Sequence, residues 1–414
     1  MRDNPFLSDT FTQIWSKHFN KDKPKYSFNF VPNLSFIKPT WLPIYFNVGK
    51  NNTKGISYSL PSGNAQDYKK KVFLIYDVPT FLDLDINLGS KDLKLTKIRQ
   101  YPGFLVDLNN YSDFEQYFCA TFSKSSRYKL NKYKRRLESC FEISYKMYHG
   151  YMKKELYDSL FGQFKKLLEK RFNDKGITNN NLDPKEWAFY HEVTFPLILE
   201  KKASLFVIYN GDIPIGITLN YLSDSIVFDA ITVFDIDYEK FHLGSVTIMK
   251  LIEWSLQNGY GIFDFSKGYY DYKKRWACKE YDFEYHLFWD NRSFIANLIS
   301  FMIIGYFKSK NYFRERNLNE IFHKITYRLK RDSKVSINCS QKFEFQPILE
   351  TIDFSNAKKL DYHCENYSHL KNMVFEFLYL NSKNEKDISL FQVLDMDNCY
   401  IIVSNNDKHR VTYI

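Results

Sequence analysis

Little in this 414-residue chain would cross-link it, anchor it or bind a metal. Its six cysteines (Cys119, Cys140, Cys278, Cys339, Cys364 and Cys399) are far apart, with no C-x-x-C pair and no His/Cys cluster. That argues against a zinc site and a disulfide framework, and for a reducing compartment. The longest apolar run, FIANLISFMIIGYF at 294–307, is broken by Asn297 and Ser300 and is short for a bilayer span. The N-terminal stretch MRDNPFLSDTF has no apolar core of signal-peptide length. No motif for an activated serine or cysteine nucleophile is present. The expectation is a soluble cytoplasmic protein. Run 294–307 is either a core helix or an interfacial helix touching the inner membrane.

Aromatic and hydrophobic residues are abundant, at 18% and 44%. With this length they predict two or three packed domains rather than disorder. The net charge of +10 is uneven. Residues 335–414 hold 8 Lys and Arg against 11 Asp and Glu, which leaves 50 against 37 before them. An anionic partner therefore belongs with residues 1–334, and the acidic remainder reads as a separate α+β appendix.

Alternation predicts strands at 42–48, 56–60 and 71–78, then helices at 112–120 and 123–139 and a strand at 141–148. Helices follow at 152–172 and 184–201. SLFVIYN (204–210), IPIGITLNYL (213–222) and SIVFDAITV (225–233) are joined by short turns, as an antiparallel meander requires. A helix at 245–259 with Ser245 as N-cap comes next, then GIFDFSKG, a short basic helix and FEYHLFWD at 283–290. Residues 291–334 read as basic helices, with a further helix near 366–379.

Two features carry chemistry. A helix start after a glycine-containing loop, His242-Leu243-Gly244-Ser245-Val246, offers free backbone N–H groups to an anion. FDFSKGYYDYKKRWA (263–277) places Asp264 among apolar residues and then opens into a basic run. A buried acid there, or at Asp229 in VFDAI, either satisfies neighbouring backbone or serves as a base with a raised pKa. Lys273 and Arg275 either face water or receive an anion. Tyr272 and Trp276, four apart, either pack on the sheet or stack on substrate.

The order of elements over about 110–290 resembles the GNAT acyltransferase fold. The serine-opened basic helix SKSSRYKLNKYKRRLE, the LG-started helix ending in NGY, "FDFSKG" and "YKKRWA" resemble its FemAB-related, CelD-like (BioF-like acetyltransferase) branch. The resemblance implies an α/β (α+β) fold of tandem GNAT-like halves around mixed, mostly antiparallel sheets. Residues 1–149 would form a degenerate half, 150–334 the acyltransferase domain with trailing basic helices, and 335–414 the appendix. It also implies an acyl group, acetyl or another, carried on coenzyme A and passed by direct attack to an amine or hydroxyl, with no metal. The acceptor would be an anionic sugar nucleotide or a cell-envelope or exopolysaccharide precursor. Val233, Leu243, Gly244, Ser245 and Val246 would hold the acyl-CoA, Asp264 and Asp229 would act as base, and Tyr272, Lys273, Arg275 and Trp276 would meet the acceptor. The loop has one glycine, Gly244, where the general GNAT signature has two. Two alternatives stand beside this reading: aminoacyl transfer from charged tRNA to a peptidoglycan precursor, and a catalytically silent anion- or glycan-binding scaffold.

Overall fold

Alternating hydrophobicity commits much of the chain to one large sheet, whose two faces are covered by amphipathic helices. The computed structural model describes all residues except 1–2, 22, 62–64, 177–178, 316–342, 349–353, 395–398, 406 and 414. The strands are β1 (Lys25–Ser27), β2 (Ser35–Ile37), β3 (Ile44–Asn47), β4 (Val72–Pro79), β5 (Leu93–Asp107), β6 (Ile143–Tyr148), β7 (Ala203–Asn210), β8 (Ile213–Leu222), β9 (Ile226–Phe234), β10 (Ile262–Lys267) and β11 (Lys279–Asp290). They lie in the order β1-β2-β3-β4-β11-β5-β10-β9-β8-β7-β6. Pairing is antiparallel except at β3/β4 and β9/β10.

Each end of the sheet repeats one scheme. A three-strand meander, β1–β3 or β7–β9, is followed by a strand parallel to its last member, β4 or β10. The closing strands are then exchanged. β5 follows β4 in sequence but lies against β10, and β11 follows β10 but lies between β4 and β5. The first repeat is degenerate: no helix intervenes between β3 and β4 among the described residues. Strand β6 pairs with β7 from Ile143 to Tyr148, so the predicted boundary at 149/150 separates a strand from the meander it extends.

Helices α1 (Asp9–Phe19), α4 (Lys154–Asp174) and α5 (Pro184–Leu199) cover one face; α2 (Phe114–Thr121), α3 (Lys124–Cys140) and α6 (Leu243–Gln257) cover the other. Strand β7 shows why both are needed. Leu205 and Val207 enter the first core, while Phe206 and Ile208 enter the second. Ser123 caps α3 through the Ser126 N–H, and Asp183 caps α5 with Pro184 in its first turn. The short α7 (Asp271–Trp276) follows β10, and α8 (Phe294–Glu315) lies across β11, β5 and β4. The rest of the predicted basic helical region, from 316 to 334, lies outside the described residues. No helix among the described residues is long and apolar enough to cross a membrane.

Two sequence expectations are corrected. Residues 56–60 form no strand beyond a bridge from Leu60 to Ile86. The 15-residue β5 was not anticipated, because Pro102 and Gly103 interrupt its pattern. Proline is tolerated there because the registers of both neighbours slip beside it, between Asp282 and Glu284 and between Asp264 and Lys267.

The acidic appendix is a second antiparallel sheet of β12 (Phe343–Pro347), β13 (Ala357–Leu360), β14 (Ile388–Val393), β15 (Tyr400–Ser404) and β16 (Asp407–Tyr413), with α9 (Lys371–Asn381). Phe375 of α9 packs within 5 Å of both Phe141 and Tyr238, at 4.9 and 4.8 Å between ring centroids. The appendix thereby buttresses the turn that leads into α6.

Candidate active site

Strands β9 and β10 run together only from Ile226 to Phe228, opposite Ile262 to Asp264, and then part. Local chemistry on both strands drives the separation. On β9, Asn220 faces Asp229 while Leu219 faces Ile231, so Ala230 is an extra residue that bends the strand. On β10, the Ser266 N–H donates to Asp264 Oδ1 at 2.9 Å, and Ser266 sits at φ 59°. The Asp-Phe-Ser sequence thus turns the strand out of the ladder. Ser266 Oγ crosses the root of the gap to the Asp229 carbonyl at 3.3 Å. Beyond that point the β9 edge toward β10 has no strand partner among the described residues. The corresponding parting of β3 and β4 is bridged instead: the Tyr76 N–H donates to the buried Asn47 side chain at 2.9 Å.

Helix α6 begins at the mouth of this gap. Its N-cap is His242, in the left-handed region at φ 51° and without a side-chain capping bond, rather than the predicted Ser245. The first-turn N–H groups of Leu243 and Gly244 are therefore free of intrahelical acceptors. The single glycine has a steric reason: a Cβ on Gly244 would lie 2.8 Å from the Phe234 ring at the end of β9. Arg275 reaches Ser245 Oγ at 3.4 Å, and the His242 ring stacks on Tyr133 of the basic α3 at 3.8 Å. Arg171 of α4 covers the outer face of Phe234 at 4.4 Å. Val233, Leu243 and Val246 bury their side chains, so only their backbones can meet a ligand.

Behind the gap is an acid–base cluster in which Asp264 and Lys273 are buried and Asp229 and Lys54 half-buried. Asp264 is fully buried; its Oδ1 also accepts from the Tyr281 hydroxyl at 2.7 Å, while Oδ2 has no hydrogen-bond partner among the described residues. Burial pushes its pKa up to about 7. Asp229 accepts from Thr232 Oγ1 at 2.8 Å, and burial raises its pKa as well. Two lysines answer these acids. Lys273 is buried, with Nζ on the Lys267 and Ser266 carbonyls at 2.9 and 3.2 Å, and desolvation lowers its pKa to about 8. Lys54 comes from the loop after β3; burial and Lys267 lower its pKa to about 8, against the pull of Asp77, Asp229 and Asp264. Lys267 itself pairs with the buried Asp77 at 2.6 Å.

These placements sort the predicted residues. Asp229, Asp264 and Lys273 converge in one cluster, and Gly244, Ser245 and Arg275 in another at the helix start. Tyr272 stands at the surface near Asp229. Trp276 does not reach either cluster: it is fully buried against Phe122, at 4.7 Å, where it anchors α7. Lys54 and Tyr281 were not anticipated. NNTKGIS carries no motif, and the exchanged strand order that brings Tyr281 to Asp264 is not written in local sequence.

Residues 124–274, the stretch that supplies β6 to β10, match the family described as acetyltransferase (GNAT) domain. The chain carries a GNAT acyltransferase domain. No curated protein matches the sequence. Among solved structures, the chain is similar to a conserved protein of unknown function from Bacteroides thetaiotaomicron, with 10% identity, 69% of this chain and 91% of that chain covered, and a TM-score of 0.44. It is also similar to FemX, with 11% identity, coverage of 61% and 83%, and a TM-score of 0.41. A third similarity is to the C-terminal domain of a putative lysylphosphatidylglycerol synthetase from Agrobacterium fabrum, with 10% identity, coverage of 69% and 88%, and a TM-score of 0.42. In this GNAT domain, β9, α6 and β10 form one continuous matched segment that contains the gap, the helix start and Asp264.

Proposed function

We propose that the GNAT domain moves an acyl group, acetyl in the simplest case, from acyl-CoA to an amine or hydroxyl of an anionic acceptor such as a sugar nucleotide or cell-envelope precursor. The parting of β9 from β10 beside an uncapped helix start carries this reading. The residues fit acyl-CoA: the α6 N–H groups and Arg275 suit its phosphates, and the unpartnered β9 edge suits the amides of its pantetheine arm. When bound, acyl-CoA supplies the activated thioester. The acceptor's nitrogen or oxygen bonds to the acyl carbon, the carbon–sulfur bond breaks, and CoA leaves as the thiol. The proton that the acceptor loses passes to Asp229 or Asp264, whose charged forms Lys54 and Lys273 favour, and from there to the departing sulfur. Calorimetry with acetyl-CoA tests the reading: single-site binding that weakens in Arg275→Ala is expected, and no binding at millimolar ligand removes it.

One observation favours a second donor. Helix α3 carries seven Lys and Arg against one acid and meets α6 at its start, through Tyr133 and His242. A donor richer in phosphate, such as aminoacyl-tRNA, would use it. RNA that co-purifies and dissociates steeply with salt would establish this donor in place of acyl-CoA.

A further inference from the structure

From Phe294 to Phe307 helix α8 is apolar around most of its circumference, yet only one side is covered. Ala296, Ile299 and Phe307 pack on the sheet with Tyr285 and Leu287, and Ser300 is buried beside them. The opposite side presents Phe294, Leu298, Phe301, Met302, Tyr306 and Phe313, each at least half exposed, with Phe294 at 80% and Phe301 at 77%. At 100° per residue these positions fall in one stripe along the outer face. Scattered exposed hydrophobics are ordinary, but a continuous stripe of aromatic and aliphatic side chains on one helix is not.

From this we infer that α8 seats the protein on an anionic lipid surface, lying in the interface rather than crossing it. Three observations select this occupant. No acidic residue occurs between Phe294 and Arg314, whereas Lys308 and Lys310 project into solvent beside the stripe. The chain before residue 335 carries the positive excess, 50 Lys and Arg against 37 Asp and Glu. Aromatics dominate the stripe, as suits side chains at the headgroup boundary. The helix is also joined to the site. The Arg314 guanidinium lies 3.7 Å over the Tyr101 ring, which meets Tyr269 edge-on at 6.1 Å, and Tyr269 belongs to the loop between β10 and α7. A seated α8 therefore brings that loop and the start of α7, with the exposed Tyr269 and Tyr270 of the loop and Tyr272 of the helix, toward the headgroups. The seating itself does not depend on the acyl-transfer reading; the delivery of a lipid-linked acceptor does.

Co-sedimentation of the full chain with vesicles tests it, using phosphatidylcholine alone and phosphatidylcholine mixed equally with phosphatidylglycerol. The chain should pellet with the mixed vesicles and far less with the neutral ones. Phe301→Glu combined with Leu298→Glu should abolish pelleting while acetyl-CoA binding and thermal unfolding stay unchanged. Lys308→Ala with Lys310→Ala should weaken partitioning roughly thirtyfold, about fivefold per lysine, as should raised salt. A wild-type chain that stays in the supernatant with mixed vesicles overturns the inference. So does pelleting unchanged by the glutamates, or a solution dimer that the glutamates split while vesicle binding is absent. Loss of acetyl-CoA binding in the wild type would strike the acyl-transfer reading and leave the seating intact.

Discussion

Tyr281 donates a 2.7 Å hydrogen bond to Asp264, and it can do so because Gly103 on the neighbouring strand leaves room for its ring. A Cβ on Gly103 would sit 2.2 Å from Tyr281 Cζ. Donor, acceptor and spacer come from β11, β10 and β5, so strand exchange between the repeats builds the environment of the central acid.

The first prediction concerns this bond. Tyr281 donates to the charged form of Asp264 and so holds its pKa down against burial. Tyr281→Phe removes the donor and should move the acidic limb of the kcat/KM profile upward by about one pH unit. Gly103→Ala should do the same and also cost about 1–3 kcal/mol through overpacking. An acidic limb that stays in place in Tyr281→Phe would show that Asp264 is not the titrating base.

A second prediction follows from the pKa of Asp264, about 7 in the folded chain against about 3.9 in an unfolded one. Between these values the folded state binds more protons than the unfolded state. Its contribution to stability is therefore complete below about pH 4 and is lost as pH rises toward 7. The loss is roughly 4 kcal/mol. Asp264→Asn abolishes it, so urea denaturation should show the variant gaining on wild type from pH 4 to pH 7 and then holding level. A difference between the two proteins that does not change with pH would place Asp264 in an unperturbed environment.

Much of this arrangement was legible in the sequence, and the rest was not for identifiable reasons. The second meander, with its glycine and aspartate turns, stands where alternation put it, and Asp229, Asp264 and Lys273, singled out in the sequence, come together behind the gap. Strand β5 escaped because Pro102 and Gly103 spoil its pattern, and they are tolerated only through bulges in its two neighbours. Lys54 escaped because a lysine in a polar loop has no local mark of burial; its role arises when the first repeat closes over the second. Trp276 went astray because helical spacing tells which residues share a face, not whether that face meets a core or a ligand.

Lys54 supplies the third prediction. Its ammonium faces Asp77, Asp229 and Asp264. Lys54→Met removes that charge and retains the apolar stem, so both Asp229 and Asp264 should become harder to ionise. We expect kcat near neutral pH to fall roughly tenfold, with partial recovery at higher pH and unchanged acetyl-CoA affinity. A drop in affinity with kcat preserved would instead make Lys54 a cofactor ligand.

The helix start gives the fourth. Gly244 permits α6 to descend onto Phe234, and Gly244→Ala forces a methyl group to within 2.8 Å of that ring. Either the helix start lifts or Phe234 swings into the mouth of the gap. Both displace the free N–H groups from the place where a pyrophosphate would sit. Acetyl-CoA affinity should therefore fall by tenfold or more, equivalent to about 1.4 kcal/mol. Affinity for an acceptor that meets Tyr272 on α7 should not change. Arg275→Ala removes charge without moving the helix, so its smaller loss should fade as salt rises, whereas that of Gly244→Ala should persist. Equal salt dependence in the two variants would mean that the glycine acts through electrostatics and not through the approach of helix to strand.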